Sequence, residues 1–434
     1  AEGEKMSKSV GNVIDPQEQV DEYGADLPRF YQLRLAPPWE QKNYDPKEIE
    51  NEIYRLFSVY WNTKNFLETH GEDVSKPEEG SFEPEDEWVL SRLNNLTDGA
   101  EDTMDDCLFH EVTRDLEEFI LEDVSRWYVK KVRGRVKDGD EAAIWTLEKV
   151  LEKTDLLLAP FAPFLAEKVY QDLDGEKESV HMESYPEAEG EWIDENLEKS
   201  MSLAREIVEK AQKLRDEEEY NLRWPAKRLV ISTDGETEES ISALEDLIRD
   251  MANIESLEYG SVSSEYTAKP DYSSLGPKFG GDADEVARKI EELEHDQIKQ
   301  LKEVGEIEVD SHVLEKSDVK FQRTTSEEIS SKEFQGGEIY LDTQMTDEIR
   351  EKALVNELIR AVQQKRKEEG LDVQDNVDLQ VSDSELSGKY EEKIRGRVNV
   401  RDLVSEEQNH SGSAEFKGNE IGFSFSDPVT MKGI

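Results

Sequence analysis

Cysteine is almost absent: Cys107 is the one thiol in 434 residues. That excludes a disulfide framework and a cysteine-rich zinc site within these residues. No run of about 18 apolar residues occurs, so no transmembrane helix is predicted. Ala1-Glu2-Gly3-Glu4 lacks the basic and apolar regions of a signal peptide, and a cytoplasmic location is expected. Basic residues are scarce, 53 against 104 acidic, for a net charge of −51. Hydrophobic residues stop at 35%, below the roughly 45–50% of ordinary globular chains. Low hydrophobicity with high net charge also describes disordered chains, but the apolar residues here recur too regularly for that. The acids are spread along the whole length rather than gathered in a tail. Such a surface suits high salt, where screening removes self-repulsion, so a halophilic protein is expected.

What is present is helical periodicity, then alternation. The length suggests two to four domains. Residues 1–45 carry a basic motif and two short helices, around Pro16–Tyr23 and Leu27–Leu35. Residues 46–228 read as an α-helical bundle. Ile49, Ile53, Leu56, Phe57, Tyr60, Trp61 and Phe66 form one helical face, and His70–Glu85 is a linker. Leu108 through Tyr128 marks one long helix. Pro160 and Pro163 interrupt the run Leu156–Phe164 and force a new helix start. From residue 229 to 434 the pattern is α/β or α+β, with strands at Leu229–Ser232, Leu257–Tyr259, Ile307–Val309, Val319–Arg323, Gly337–Leu341 and Val377–Val381. A long acidic helix is expected over Asp284–Leu301, and another over Ile349–Gly370. Lys417-Gly418-Asn419 separates two alternating runs and predicts a hairpin. No internal repeat is visible.

Residues 5–9 read Lys5-Met6-Ser7-Lys8-Ser9, followed by Val10-Gly11-Asn12-Val13-Ile14-Asp15-Pro16 and Tyr23-Gly24-Ala25-Asp26. Two lysines on long stems, two short hydroxyl donors and a flexible Gly11 suit the phosphates of a nucleotide. A second feature is a basic stripe. Arg126, Lys130, Arg133 and Lys137 recur at helical spacing on one face of an otherwise acidic chain. Phosphate contacts dominate nucleic-acid affinity, so this face is a candidate RNA track; pairing with neighbouring Glu and Asp is the competing reading. Trp127 and Tyr128 could stack on bases or pack in the core. Arg223, Lys227 and Arg228 form a second basic spot, and Lys365-Arg366-Lys367 a third.

The Lys5–Ser9 string resembles the mobile ATP-phosphate loop of one large family of aminoacyl-tRNA synthetases. The resemblance narrows further on. Leu116-Glu117-Glu118-Phe119 with Ser125-Arg126-Trp127-Tyr128 resembles the anticodon-binding domain of isoleucyl-tRNA synthetases. Leu158-Ala159-Pro160-Phe161-Ala162-Pro163-Phe164 fits that subfamily and its valyl, leucyl and methionyl relatives. Lys269-Pro270-Asp271-Tyr272, Leu275-Gly276-Pro277-Lys278-Phe279-Gly280 and Glu357-Leu358-Ile359-Arg360 through Lys365-Arg366-Lys367 resemble the archaeal and eukaryotic type. With the acidic surface, a haloarchaeal source is implied.

The resemblance implies a multidomain fold. The end of an α/β nucleotide-binding catalytic domain (1–45) is followed by an α-helical anticodon-binding bundle (46–228) and a smaller α+β region (229–434). It implies ATP-dependent activation of isoleucine and transfer to tRNA(Ile), with ATP and Mg2+ as cofactors. Lys8 and Lys5 would act on the ATP phosphates within the Lys5, Met6, Ser7, Lys8, Ser9 loop, and Arg126, Lys130 and Arg133 would meet tRNA. No zinc is expected within these residues, in keeping with the archaeal type. The family's upstream His-x-Gly-His motif is missing, so the chain is expected to be a monomeric C-terminal fragment, inactive alone. A valyl enzyme, expected to end in a coiled-coil arm, and a non-catalytic tRNA-binding protein derived from a synthetase are the alternatives.

Overall fold

The computed structural model describes residues 14–427, apart from residues 38, 42, 72–73, 79, 263–264, 294, 310–311, 325–328 and 372–374. The chain divides into two compact units, Ala1–Ser202 and Leu203–Ile434.

The first unit is helical, and its helices begin where the sequence supplies caps. Asp15 accepts the N–H of Gln17 at 2.9 Å and opens Pro16–Tyr23, with proline at the first turn. Asp140 accepts that of Ala143 at 3.0 Å and opens Glu141–Leu158. Glu83 and Asp86 form a reciprocal capping box at the head of Pro84–Asp105. The polar stretch after Tyr54–His70 therefore ends at Pro84. The two prolines act as expected: Glu141–Leu158 stops before Pro160, and Pro163 begins Pro163–Asp172. Trp88, Leu93, Leu116, Phe119, Leu147 and Leu151 are among the residues buried at the centre.

The expected long helix from Leu108 to Tyr128 is not a uniform α-helix. Phe109–Glu118 passes into a π-helix, Phe119–Val129, and then back to an α-helix, Lys130–Lys137. A π-helix bonds five residues back, so its turn is wider and neighbouring residues lie closer in angle. Trp127, Tyr128 and Val129 are buried in succession there.

The second unit contains the repeat that the sequence does not show. Its first copy takes in the later part of the helix Glu195–Glu217, from Leu203 on, then β1 (Ala226–Thr233), two short helices (Gly235–Ser242, Glu245–Ala252) and β2 (Ile254–Tyr259). An insertion follows with β3 (Glu265–Pro270), β4 (Glu306–Val309), β5 (His312–Glu315) and β6 (Val319–Thr324). The copy closes with the hairpin β7 (Ile329–Phe334) and β8 (Gly337–Asp342). The second copy runs from Asp347–Glu368 to β9 (Val377–Val381), two short helices (Ser384–Lys389, Glu391–Val398) and β10 (Val400–Val404). It ends in the hairpin β11 (His410–Phe416) and β12 (Asn419–Phe425). The sheets have orders β2-β1-β8-β7 and β10-β9-β12-β11. In each, the first pair is parallel and the other two antiparallel.

Equivalent side chains lock both copies. Arg215 donates to the carbonyls of Trp224 at 2.7 Å and Asn253 at 2.6 Å. Arg366 donates to those of Asp375 at 2.6 Å and Val398. Gln212 and Gln363 reach Met251 O at 3.3 Å and Arg397 O at 2.7 Å. Asn253 and Asn399, at φ 52° and 48°, end the second short helix of each copy. The predicted hairpin is present: Lys417 and Gly418, at φ 47° and 83°, join β11 to β12. The acidic helix expected over Asp284–Leu301 is instead two, Ala283–Glu291 and His295–Val304, which pack Val286, Ile290, Ile298 and Leu301 into the insertion's own core.

Candidate nucleic-acid interface

Lys5, Met6, Ser7, Lys8 and Ser9 lie outside the described residues. The helix soon after them, Asp26–Leu35, is fastened into the bundle. Its buried Asp26 carboxylate accepts the N–H groups of Phe164 at 3.0 Å and Leu165 at 2.7 Å. Arg29 donates to Pro160 O at 2.8 Å. The motif Leu158–Phe164 is thus the seat on which the Asp26–Leu35 helix rests. Burial pushes the Asp26 carboxyl up, against the pull of the two N–H groups.

Arg126, Lys130, Arg133 and Lys137 are all exposed, but their surroundings differ. Arg126, at the end of the π-helix, is held by Glu122 at 2.5 and 2.7 Å. Among the described residues, Lys130, Arg133 and Lys137 form no ion pair with a carboxylate. The Arg133 guanidinium lies 5.1 Å over the ring of Phe66, and His70 leans on the same ring at 5.2 Å. Burial, and then the charges of Lys137 and Arg133, hold the His70 imidazole below its usual range. The outcome is a positive strip with a half-exposed ring beneath it. Sequence reasoning assigned Phe66 to the apolar face; the spacing of Phe66 and His70, one turn apart beside a basic helix, was the available signal.

Trp127 and Tyr128 belong to the core. The Trp127 indole N–H points at the Met201 sulfur at 3.3 Å, and the Tyr128 hydroxyl donates to Asp86 at 2.8 Å. Asp86 is fully buried and also binds Arg135 at 2.7 Å, while Asp140 takes another Arg135 nitrogen at 2.9 Å. Arg135 is therefore a structural cation, although it neighbours the stripe.

The other basic spots are largely consumed internally, although Lys367 is exposed and forms no ion pair with a carboxylate among the described residues. Arg223 and the Trp224 indole both meet Glu357, at 3.1 and 3.0 Å. Arg228 bridges Asp342 and Glu258, at 3.1 and 3.0 Å. Lys365 pairs with Glu369 at 2.7 Å, and Arg366 is buried on main-chain carbonyls. Among the described residues no helix is long and apolar enough to cross a membrane, and no group of His, Cys, Asp and Glu is placed to hold a metal ion.

Residues 86–231 match the anticodon-binding domain of tRNA ligase, and residues 1–45 match the tRNA synthetases class I (I, L, M and V). Over these residues the chain is similar to the class I aminoacyl-tRNA synthetases. Within that class it is similar to isoleucine–tRNA ligases of archaea. It is 36% identical to that of Pyrococcus abyssi over 394 residues, covering 86% of this chain and 36% of the relative. Against that of Thermococcus kodakarensis it is 35% identical over 394 residues, with the same coverage of 86% and 36%. For Methanocaldococcus jannaschii the identity is 33% over 408 residues, 91% of this chain and 39% of the relative. The chain spans less than two-fifths of the length of these relatives. These similarities favour the isoleucine reading over the valyl one. A solved LeuRS–tRNA–LeuAMS complex from Agrobacterium radiobacter K84 is 22% identical at a TM-score of 0.35, covering 44% of this chain and 24% of that one, too weak a likeness to define the fold.

Proposed function

We propose that this chain is the part of an isoleucine–tRNA ligase that closes the ATP site and holds tRNA(Ile). The observation that carries the reading is the strip of Lys130, Arg133 and Lys137. It stands free of carboxylates among the described residues of a protein with net charge −51, and it lies within the residues that match an anticodon-binding domain. Exposed cations that no acid has neutralised are available to phosphates, and three of them stand together on this helix. Arg126 contributes after leaving Glu122. The half-exposed Phe66 ring offers a face for an unpaired base, the usual partner of aromatics in RNA recognition.

Lys5 and Lys8, with Met6, Ser7 and Ser9, are assigned to the ATP phosphates. ATP with its Mg2+ supplies the activated phosphorus that isoleucine attacks; the two lysines offset the charge that builds on the phosphate oxygens. The isoleucine pocket belongs to residues outside this chain, so the chain alone is inactive. Residues 1–45, 46–228 and 229–434 are proposed as catalytic end, tRNA-binding bundle and α+β region of a cytoplasmic, halophilic, monomeric enzyme that needs no zinc in these residues. The testing experiment is tRNA(Ile) binding by the triple variant Arg126→Glu, Lys130→Glu, Arg133→Glu. Binding equal to the parent, in a folded variant, would remove the interface.

A further inference from the structure

A cavity of about 490 Å3 opens elsewhere on the first unit, within the roughly 300–1,000 Å3 typical of small-ligand sites. Phe82 and Trp192 bring aromatic rings to its wall. The rings of Phe82 and Trp192 meet edge to face, 5.4 Å apart at 84°. Trp145 packs behind them, 5.6 Å from Phe82 and 6.1 Å from Trp192. Ring faces carry negative quadrupole density and attract cations, weakly hydrated organic ones above all. A cation already stands there. The Lys76 ammonium lies 5.2 Å from the Trp192 ring centre and 5.8 Å from that of Trp145. Lys76 comes from the polar stretch before Pro84 and is itself 56% exposed, with Glu191 at 3.9 Å.

The rim is acidic. Glu87, Glu191 and Asp194 line the cavity. Burial, then the charge of Asp194, pushes the Glu87 carboxyl up, so the two carboxylates repel each other. Rings alone would accept a neutral apolar guest. Carboxylates alone would accept any cation. Together they select a cation with an apolar skin.

We propose that this cavity binds a small alkylammonium ion, with the Lys76 side chain as a tethered stand-in that the free ligand displaces. The ring corner receives the methyl groups, and Glu87, Glu191 and Asp194 compensate the charge. An anion is repelled by the rim. A divalent metal finds no converging donor set, since no group of three or more His, Cys, Asp or Glu is placed to hold one among the described residues. Lys76 reaches the site from an exposed segment, so it can leave without disturbing a helix.

The test titrates tetramethylammonium chloride into the chain at constant total chloride, with KCl as the replaced salt. Calorimetry and saturation-transfer NMR on the methyl protons read the binding. Saturable binding is expected, and Lys76→Ala should tighten it at least about threefold by removing the internal competitor. Phe82→Leu and Trp192→Leu should each weaken it about tenfold or more by removing the ring faces. The double variant Glu87→Gln, Asp194→Asn should weaken it while leaving the rings intact. Neopentyl alcohol, a near-isostere with one added hydroxyl and no charge, should not bind. The proposal is overturned if Lys76→Ala leaves the affinity unchanged. It is also overturned if KCl competes as well as tetramethylammonium does, or if Phe82→Leu binds like the parent. Melting temperatures of the variants exclude loss of fold as the cause.

Discussion

Arg215 and Arg366 occupy one position in two copies of the same structure. Each lies 11 residues ahead of the first residue of a strand, Ala226 in one case and Val377 in the other. Each is buried and binds main-chain carbonyls. Burial pushes the Arg215 guanidinium down to about 10 and lowers that of Arg366 as well. Removing the cation leaves carbonyls unpaired in the interior. Arg215→Met should cost on the order of 3 kcal/mol in urea unfolding, and Arg215→Lys should recover little, because one ammonium cannot copy the fork. Hydrogen exchange should show the loss concentrated in β1 and β2; uniform loss over both sheets would contradict the idea of separate locks.

The charge-reversal triple Arg126→Glu, Lys130→Glu, Arg133→Glu should weaken tRNA(Ile) binding at least about 100-fold and flatten its salt dependence, as lost phosphate contacts do. Phe66→Leu should weaken binding by a smaller factor and leave the salt slope alone. If both variants change the slope equally, Phe66 acts through Arg133 and not through a base.

Lys8→Ala in the full-length enzyme should lower isoleucine-dependent pyrophosphate exchange by about 100-fold or more, the typical loss of a transition-state charge stabiliser. tRNA affinity should stay near that of the parent. Unaltered exchange would sink the assignment of Lys8.

Asp155 gives a stability that depends on pH. It is 1% exposed, it accepts the Tyr60 hydroxyl at 3.2 Å on one oxygen, and its other oxygen has no hydrogen-bond partner among the described residues. Burial pushes this carboxyl up to about 8, against the pull of Tyr60 and with the help of Glu167. In the unfolded chain it titrates near 3.8. Between these values the folded state holds the extra proton, so stability falls as pH rises from about 4 to about 8. Asp155→Asn keeps the neutral shape and should flatten that part of the stability profile. A variant with an unchanged slope between pH 5 and 8 would show that Asp155 is ionised in the fold.

Molar KCl should raise the melting temperature relative to dilute buffer, because screening lengths shrink to about 3 Å at 1 M and 104 acidic side chains stop repelling one another. A flat or falling melting curve would argue against a halophilic surface.

The bundle was readable because its helices announce their ends. Asp15-Pro16, Glu83-Pro84 and Asp140 place caps where the structure has them, and the apolar faces repeat at helical spacing. The duplication was hidden for a physical reason. Its shared contacts run from Arg215 and Arg366 to carbonyls, which every residue supplies, so the partner positions need not resemble each other. The π-helix was hidden too, because the apolar residues of Phe119–Val129 still recur at near-helical spacing and its width shows only in the backbone. β3, β5, β7 and β10 escaped notice because charged and polar residues break their apolar alternation. In the candidate interface the stripe could be read from spacing alone. What sequence could not tell was which cations are spent: Arg126 faces Glu122 one turn away, while Arg135 is taken by Asp86, distant in sequence.

The helix that starts at Pro163 borrows its cap from Asp26, 138 residues earlier to Phe164 and 139 to Leu165. During synthesis Asp26 emerges long before the turn it will close. The order of assembly follows: the early helix must wait, and the Pro163 turn can settle only when the two segments meet. A mechanical pull on residues just upstream of Asp26 would then be felt at Pro163, far along the sequence, as well as at Glu50, which the Tyr23 hydroxyl holds at 2.8 Å.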